Sequence, residues 1–209
     1  MSPPDYLRDP AEIYRRSFET VRAETDLSRL PASLHEAAVR IVHACGMPDV
    51  VADLDWRGDP VTAGRGALAA GRPVIADSRM VAHGVIRARL PACNDVRCFL
   101  DEPGVADDAR RDATTRSAAA VDRWLPHIEG AVVAIGNAPT ALFRLLERLG
   151  EEVPRPAAVF AFPVGFVGAE ESKRALAGTD GAPPFLTLHG RRGGSAIAAA
   201  AVNALAGGG

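Results

Sequence analysis

Lysine is almost missing from this 209-residue chain: Lys173 is the single lysine among 24 basic residues. Aromatic residues make up only 5% and the net charge is −2, which leaves neither a base-stacking surface nor a field that would draw nucleic acid. There are three cysteines, Cys45, Cys93 and Cys98, with no CxxC spacing. That odd, unpaired set argues against a disulfide framework or a structural zinc and fits a reducing cytoplasm. None of the five histidines belongs to an HxxxH or HExxH pattern, so a metal site has little support. The opening MSPPDYLRDPAEIY contains no apolar signal-peptide core. The longest uncharged stretch, GGSAIAAAAVNALAGGG, is too short and too weakly apolar to span a bilayer. A Walker A loop is absent and no GxGxxG follows any strand, so a nucleotide or flavin module would lack its usual marks.

What is present reads as an ordinary globular protein. Hydrophobic residues are 47% and charged residues 24%, and the length suits one domain spanning 1–209 with a frayed Gly207–Gly209 tail. The preference for arginine over lysine has two readings: a GC-rich genome, or a site that grips carboxylates or phosphates with planar forks.

Asp9-Pro10-Ala11-Glu12 predicts a capped helix start, with Ile13, Tyr14, Ser17, Phe18 and Val21 on the inner face. Ser33-Leu34-His35-Glu36 reads as a second capping box. Behind it Leu34, Ala37, Ala38, Ile41, Val42 and Cys45 form a helical stripe that ends at Gly46 and Pro48. Short β-rich runs then alternate with helical patterns. Strands are expected at 73–77, 96–100, 131–136, 157–163 and 185–189, and helices at 59–71, 78–83, 107–127, 138–149, 169–177 and 195–205. The runs AVVAI and AAVFAF do not alternate between apolar and polar, as in strands buried on both faces. The expected fold is a three-layer α/β/α sandwich with a mainly parallel sheet.

In such a sheet, ligands bind beyond the carboxyl ends of the strands. Three loops lie there: Gly136-Asn137-Ala138-Pro139-Thr140, Pro163–Gly168 and Gly190–Ser195. Each leads into a helix N-terminus and none carries an acidic residue, a combination that favours an anionic ligand. Arg87, Arg89, Arg116, Arg191 and Arg192 are the nearby cations. Arg87 and Arg89, spaced i, i+2, would point the same way in an extended segment. His35 and His127 read as surface residues, and His83 and His189 as structural ones. His43 falls opposite the Leu34–Cys45 stripe, which alone marks a solvated side chain. A Cys45–His43 dyad is disfavoured, since i and i+2 do not face each other on a helix. His43 also sits in the last helical turn, where the dipole favours the imidazolium and so a usable proton donor.

Several segments resemble one family. They are Ile13–Phe18, Val42-His43-Ala44-Cys45-Gly46, Met80–Val85 with Arg87–Pro91, Thr115-Arg116-Ser117-Ala118-Ala119, Ala134–Leu142, Pro163–Ala169 and Gly193-Gly194-Ser195-Ala196. Together they resemble the precorrin-8X methylmutases, isomerases of cobalamin (vitamin B12) biosynthesis. The resemblance implies a flavodoxin-like sheet, a homodimer and no cofactor. It implies a [1,5]-sigmatropic shift that moves a methyl group from C-11 to C-12 of ring C, turning the tetrapyrrole precorrin-8X into hydrogenobyrinic acid. The family's proton-donating histidine falls on His43, and Ser17 and Arg116 match positions near the substrate. With the loop and arginine readings, the candidate substrate-binding set is Ser17, Arg87, Arg89, Arg116, Ser117, Asn137, Thr140, Gly165, Gly194 and Ser195. One departure is Cys93, where the family usually has glycine. Three alternatives stay open: the cobalt-containing substrate of the anaerobic route, a non-catalytic corrin carrier, and a flavin or nucleotide enzyme.

Overall fold

The computed structural model describes residues 5–207; Gly208 and Gly209 of the expected tail lie outside them. Six strands form one sheet: β1 (Leu54–Arg57), β2 (Val74–Ala76), β3 (Val96–Arg97), β4 (Val132–Ile135), β5 (Ala158–Ala161) and β6 (Phe185–Leu188). Their spatial order is β1-β6-β5-β4-β2-β3. The last five strands are parallel. Counted among themselves they run 2-1-3-4-5, the flavodoxin-like order, with its switch point between β2 and β4.

The expected burial on both faces is found. Val132, Ala134, Ala158, Phe160, Leu186 and Leu188 face one core. Val133, Ile135, Val159, Ala161 and Phe185 face the other, so alternate residues of each strand feed opposite layers. The first layer is α2 (His35–Cys45), α3 (Pro60–Ala69), α4 (Arg79–Gly84) and α9 (Ser195–Asn203). The second is α5 (Val105–Arg111), α6 (Arg116–Asp122), α7 (Pro139–Leu149) and α8 (Ala169–Gly178). A further helix, α1 (Pro10–Glu24), lies on the outside of α2. None of its residues is buried, and Ile13, expected on the inner face, is 46% exposed.

Several expectations are corrected. The helix expected over 107–127 is broken: α5 stops at Arg111, Ala113 takes φ +48°, and α6 starts afresh. Thr115 is the cause, because its hydroxyl accepts the Ala118 N–H at 3.1 Å and caps α6. Ser33 does not cap α2; a 3₁₀ turn at Ala32–Leu34 precedes it and puts Leu34 at the cap position. Asp9 does cap α1, accepting the Glu12 N–H at 2.9 Å. Glu12 closes no box, because Arg15 and Arg16 hold its carboxylate. Strand β1 was not expected; it pairs antiparallel with β6 at the sheet edge. Cys93 occupies the left-handed region, φ +50°, so its turn keeps the backbone that a glycine would supply, at a cost of about 1–2 kcal/mol.

Candidate functional site

His43 projects from the last turn of α2 on the side away from the apolar stripe and is exposed. It is not left in solvent, because α1 comes to meet it. The Ser17 hydroxyl lies 2.9 Å from His43 Nδ1. The Phe18 ring stacks on the imidazole, with centroids 4.7 Å apart, and Tyr14 stacks on Phe18 at 4.4 Å. With Nδ1 held by Ser17, Nε2 is the ring nitrogen that makes no hydrogen bond among the described residues. Cys45 takes no part in this. Its thiol turns back to the Val42 carbonyl at 3.7 Å, and burial pushes its pKa up.

His43 lines an open cleft of ≈ 320 Å³ between α1, α2, α4 and α9. Its floor is made of small residues, Ala196, Ala199 and Ala200 of α9 with Gly84 of α4. A Cβ on Gly84 would stand 2.6 Å from the Ala199 Cβ, so this close approach of α4 to α9 requires glycine. Asn203 fixes the segment after α4: its Oδ1 accepts the Ile86 N–H and its Nδ2 donates to the Gly84 carbonyl, both at 2.9 Å. Arg40 and Arg89 supply the charge, and no aspartate or glutamate lines the cleft. A second cleft, ≈ 360 Å³ between α6 and α7, has the opposite character: Asp112, Asp122 and Glu147 line it. Those carboxylates would repel an anion.

Arg87 and Arg89 do not act as the expected pair. They sit in a 3₁₀ turn, Arg87–Arg89, where i and i+2 point in different directions. Arg87 donates to the Val96 carbonyl at 3.1 Å, and Arg89 lines the cleft. Arg116 is 59% exposed and lies 3.8 Å from the Asp101 carboxylate, with Ser117 beside it at the start of α6. Thr140 pairs with Thr115, hydroxyl to hydroxyl, at 2.7 Å. Arg116, Ser117, Asn137 and Thr140 are thus not brought to His43 within this chain; Ser17 and Arg89 are.

The three loops at the sheet edge behave differently from one another. In the first, the anion comes from the protein itself. Asp77, 3% exposed at the end of β2, reaches across the switch point. It accepts the N–H groups of Gly136, Asn137 and Ala138 at 3.0, 2.9 and 2.8 Å. Burial pushes the Asp77 carboxyl up, and these three donors pull the other way. The second loop presents Phe166 and Val167, 87% and 88% exposed, and its Gly165 N–H donates to the Arg191 carbonyl. In the third, a Cβ on Gly193 would stand 2.3 Å from the Phe162 carbonyl oxygen, so only glycine fits. Gly194 donates its N–H to that same oxygen at 2.8 Å, and the Ser195 hydroxyl lies 3.4 Å from that of Ser78. Arg192 is spent on Asp49 and Asp53.

The single lysine supports this third loop from beneath. Lys173 is fully buried, and its Nζ donates to the Arg192 carbonyl at 2.7 Å. Burial pushes its pKa from 10.5 down to about 8. Between those values the unfolded chain holds a proton that the folded chain has lost, so stability should rise with pH across that window. The gain should be roughly 3 kcal/mol. Urea unfolding of wild type and Lys173→Met at pH 7.5 and 10.5 measures it as a change in their stability difference. A difference that stays constant would show that Lys173 titrates normally.

None of the other histidines lines the cleft, and His83, expected to be structural, is exposed on α4 beside Gly84. His189 Nε2 is 2.8 Å from Asp55, His35 bonds the Leu30 carbonyl, and His127 stacks on Phe99. His35 and His127, expected on the surface, are half-buried. Among the described residues, no group of three or more His, Cys, Asp or Glu could hold a metal ion. No helix there is long and apolar enough to cross a membrane. Arg40, Tyr14, Phe18 and Asn203 are the site residues that sequence reasoning missed or placed elsewhere. One signal was available: Arg40 stands three residues before His43, on the same helical face.

The profile of one family, precorrin-8X methylmutase, matches residues 12–207. A precorrin-8X methylmutase of Pseudomonas aeruginosa is 56% identical, over 97% of each chain. Another, from a Sinorhizobium species, is 52% identical over 97% of this chain and 96% of its own. The crystal structure of the Thermus thermophilus precorrin-8X methylmutase superposes with a TM-score of 0.84 at 36% identity, covering 94% of each chain. With a match running through both helix layers, the sheet and the His43 cleft, this chain belongs to the precorrin-8X methylmutase family.

Proposed function

We propose that this protein converts precorrin-8X into hydrogenobyrinic acid in the cytoplasm, with His43 as the acid. The observation that carries this reading is the Ser17–His43 contact of 2.9 Å, which leaves Nε2 for the cleft. A serine hydroxyl can accept or donate. It can accept from Nδ1–H while the imidazole is cationic and go on doing so once Nε2 has given up its proton, so Ser17 can hold Nδ1 through the step without itself selecting the tautomer.

The reaction breaks the C-11–methyl bond and forms the C-12–methyl bond, with no net oxidation or hydrolysis. A proton placed on the ring-C nitrogen makes the conjugated ring electron-poor and lowers the barrier to migration; it returns to His43 afterwards. The small side chains of Ala196, Ala199 and Ala200 leave room for the face of a macrocycle. The substrate carries seven carboxylates, and a chain of net charge −2 can attract it only through local cations. Arg89 stands at the cleft. Arg87, Arg116, Ser117, Asn137, Thr140, Gly165, Gly194 and Ser195 remain assigned to the outer parts of so large a ligand. A homodimer is part of this reading, because a cleft of ≈ 320 Å³ is at the small end for even a drug-sized ligand.

The test is single-turnover conversion of precorrin-8X and of cobalt-precorrin-8, side by side. Hydrogenobyrinic acid should form from the metal-free substrate. Turnover of neither would end the reading, and turnover of the cobalt compound alone would move it to the anaerobic route. Ser17→Ala should slow the reaction about 2- to 12-fold, the worth of one hydrogen bond of 0.5–1.5 kcal/mol. An unchanged rate would remove Ser17 from the mechanism.

A further inference from the structure

Arg40 is a charged side chain only 8% exposed, one helical turn before His43 and lining the same cleft. Its surroundings fix its plane. Nε donates to Glu36 at 3.1 Å, Nη1 donates to the Tyr14 hydroxyl at 3.2 Å, and the guanidinium lies over the Phe18 ring at 5.5 Å. A guanidinium has five N–H donors. Glu36 and Tyr14 use two, so one on Nη1 and both on Nη2 are left. Those three sit at the end of the fork, where a carboxylate can be taken with two parallel bonds.

The charge count points the same way. Glu36 is shared, because its other oxygen is held by Arg22 at 2.7 Å. Two guanidiniums and one carboxylate leave a net charge of +1 against the cleft wall. Arg89 adds a second cation, and no carboxylate lines the cleft to oppose them. A cation kept this dry, with three of its five donors unused, is poised for an anion rather than for the fold alone.

Resting on the reading above, we propose that Arg40 binds one peripheral carboxylate of the corrin substrate end-on through Nη1 and Nη2. It thereby seats the ring over His43 Nε2. Arg40 would then set specificity for the free acid over an uncharged derivative.

The experiment titrates hydrogenobyrinic acid and its heptamethyl ester against the full chain, following the corrin absorbance. In Arg40→Gln the affinity for the acid should fall tenfold or more, while that for the ester stays within twofold of wild type. Tyr14→Phe, which loosens the same helix contact but keeps the guanidinium, should leave the acid-to-ester ratio near that of wild type. Acid and ester weakened together in Arg40→Gln would make Arg40 only a strut for α1, and an unchanged acid affinity would place it outside the site. If Arg40→Gln does not fold, Arg40→Lys, which keeps the charge but not the fork, decides by the same ratio: a fall supports the assignment and an unchanged ratio overturns it. Wild type that binds neither compound would overturn the proposed function itself, and this assignment with it.

Discussion

Replacing His43 with alanine should leave a folded protein that turns precorrin-8X over about 10²–10⁴-fold more slowly, the usual worth of general acid catalysis. The fold should survive because His43 is exposed and belongs to neither core. What it loses locally is one hydrogen bond with Ser17 and the stack on Phe18. Binding of hydrogenobyrinic acid should change little, since Arg40, Arg89 and the alanine floor remain. His43→Asn keeps a polar donor but has no proton to give, so it should be nearly as slow. The measurement is the single-turnover rate of folded wild type and of both variants. Equal rates would make His43 a bystander.

The second large effect falls on stability. Asp77→Ala should cost about 3–5 kcal/mol, because it leaves three N–H groups without their acceptor, two of them on buried residues, and each buried one costs about 1–3 kcal/mol. Gly136 and Ala138 are buried, so water reaches their amides poorly. Asp77→Asn keeps the shape but turns an NH₂ group toward at least one of these donors. The three bonds are split between both carboxylate oxygens, so neither amide orientation satisfies them all. It should therefore lose at least about 2 kcal/mol. Urea unfolding measures both variants, and a loss below 1 kcal/mol for Asp77→Ala would mean that the loop relaxes to other partners.

The same residue shows where sequence reading stops. An anion-seeking N-terminus at Gly136–Ala138 was legible from glycine, proline and the lack of acids. Its occupant was not, because only the β4–β2 adjacency brings Asp77 there from some 60 positions earlier. Strands β4 and β5 were legible because they are apolar on both faces. Strand β1, Leu54-Asp55-Trp56-Arg57, alternates polar and apolar residues and takes its identity from pairing with β6. The break at Ala113 was hidden because alanine is the best helix former, yet here it takes positive φ ahead of the Thr115 cap. Periodicity placed His43 away from the core, as found, but could not say that α1 would carry Ser17 and Phe18 onto it. That contact spans 26 positions and two helices.

The scarcity of lysine has a practical consequence once Lys173 is seen to be fully enclosed. Its Nζ is held by the Arg192 carbonyl of the third sheet-edge loop, and the side chain has no exposed surface. Amine-directed reagents therefore find no lysine on the folded surface. Cross-linkers, fluorophore esters and acetyl donors that modify this side chain do so only in molecules that have opened. Covalent labelling of Lys173 thus counts excursions from the native state, one molecule at a time.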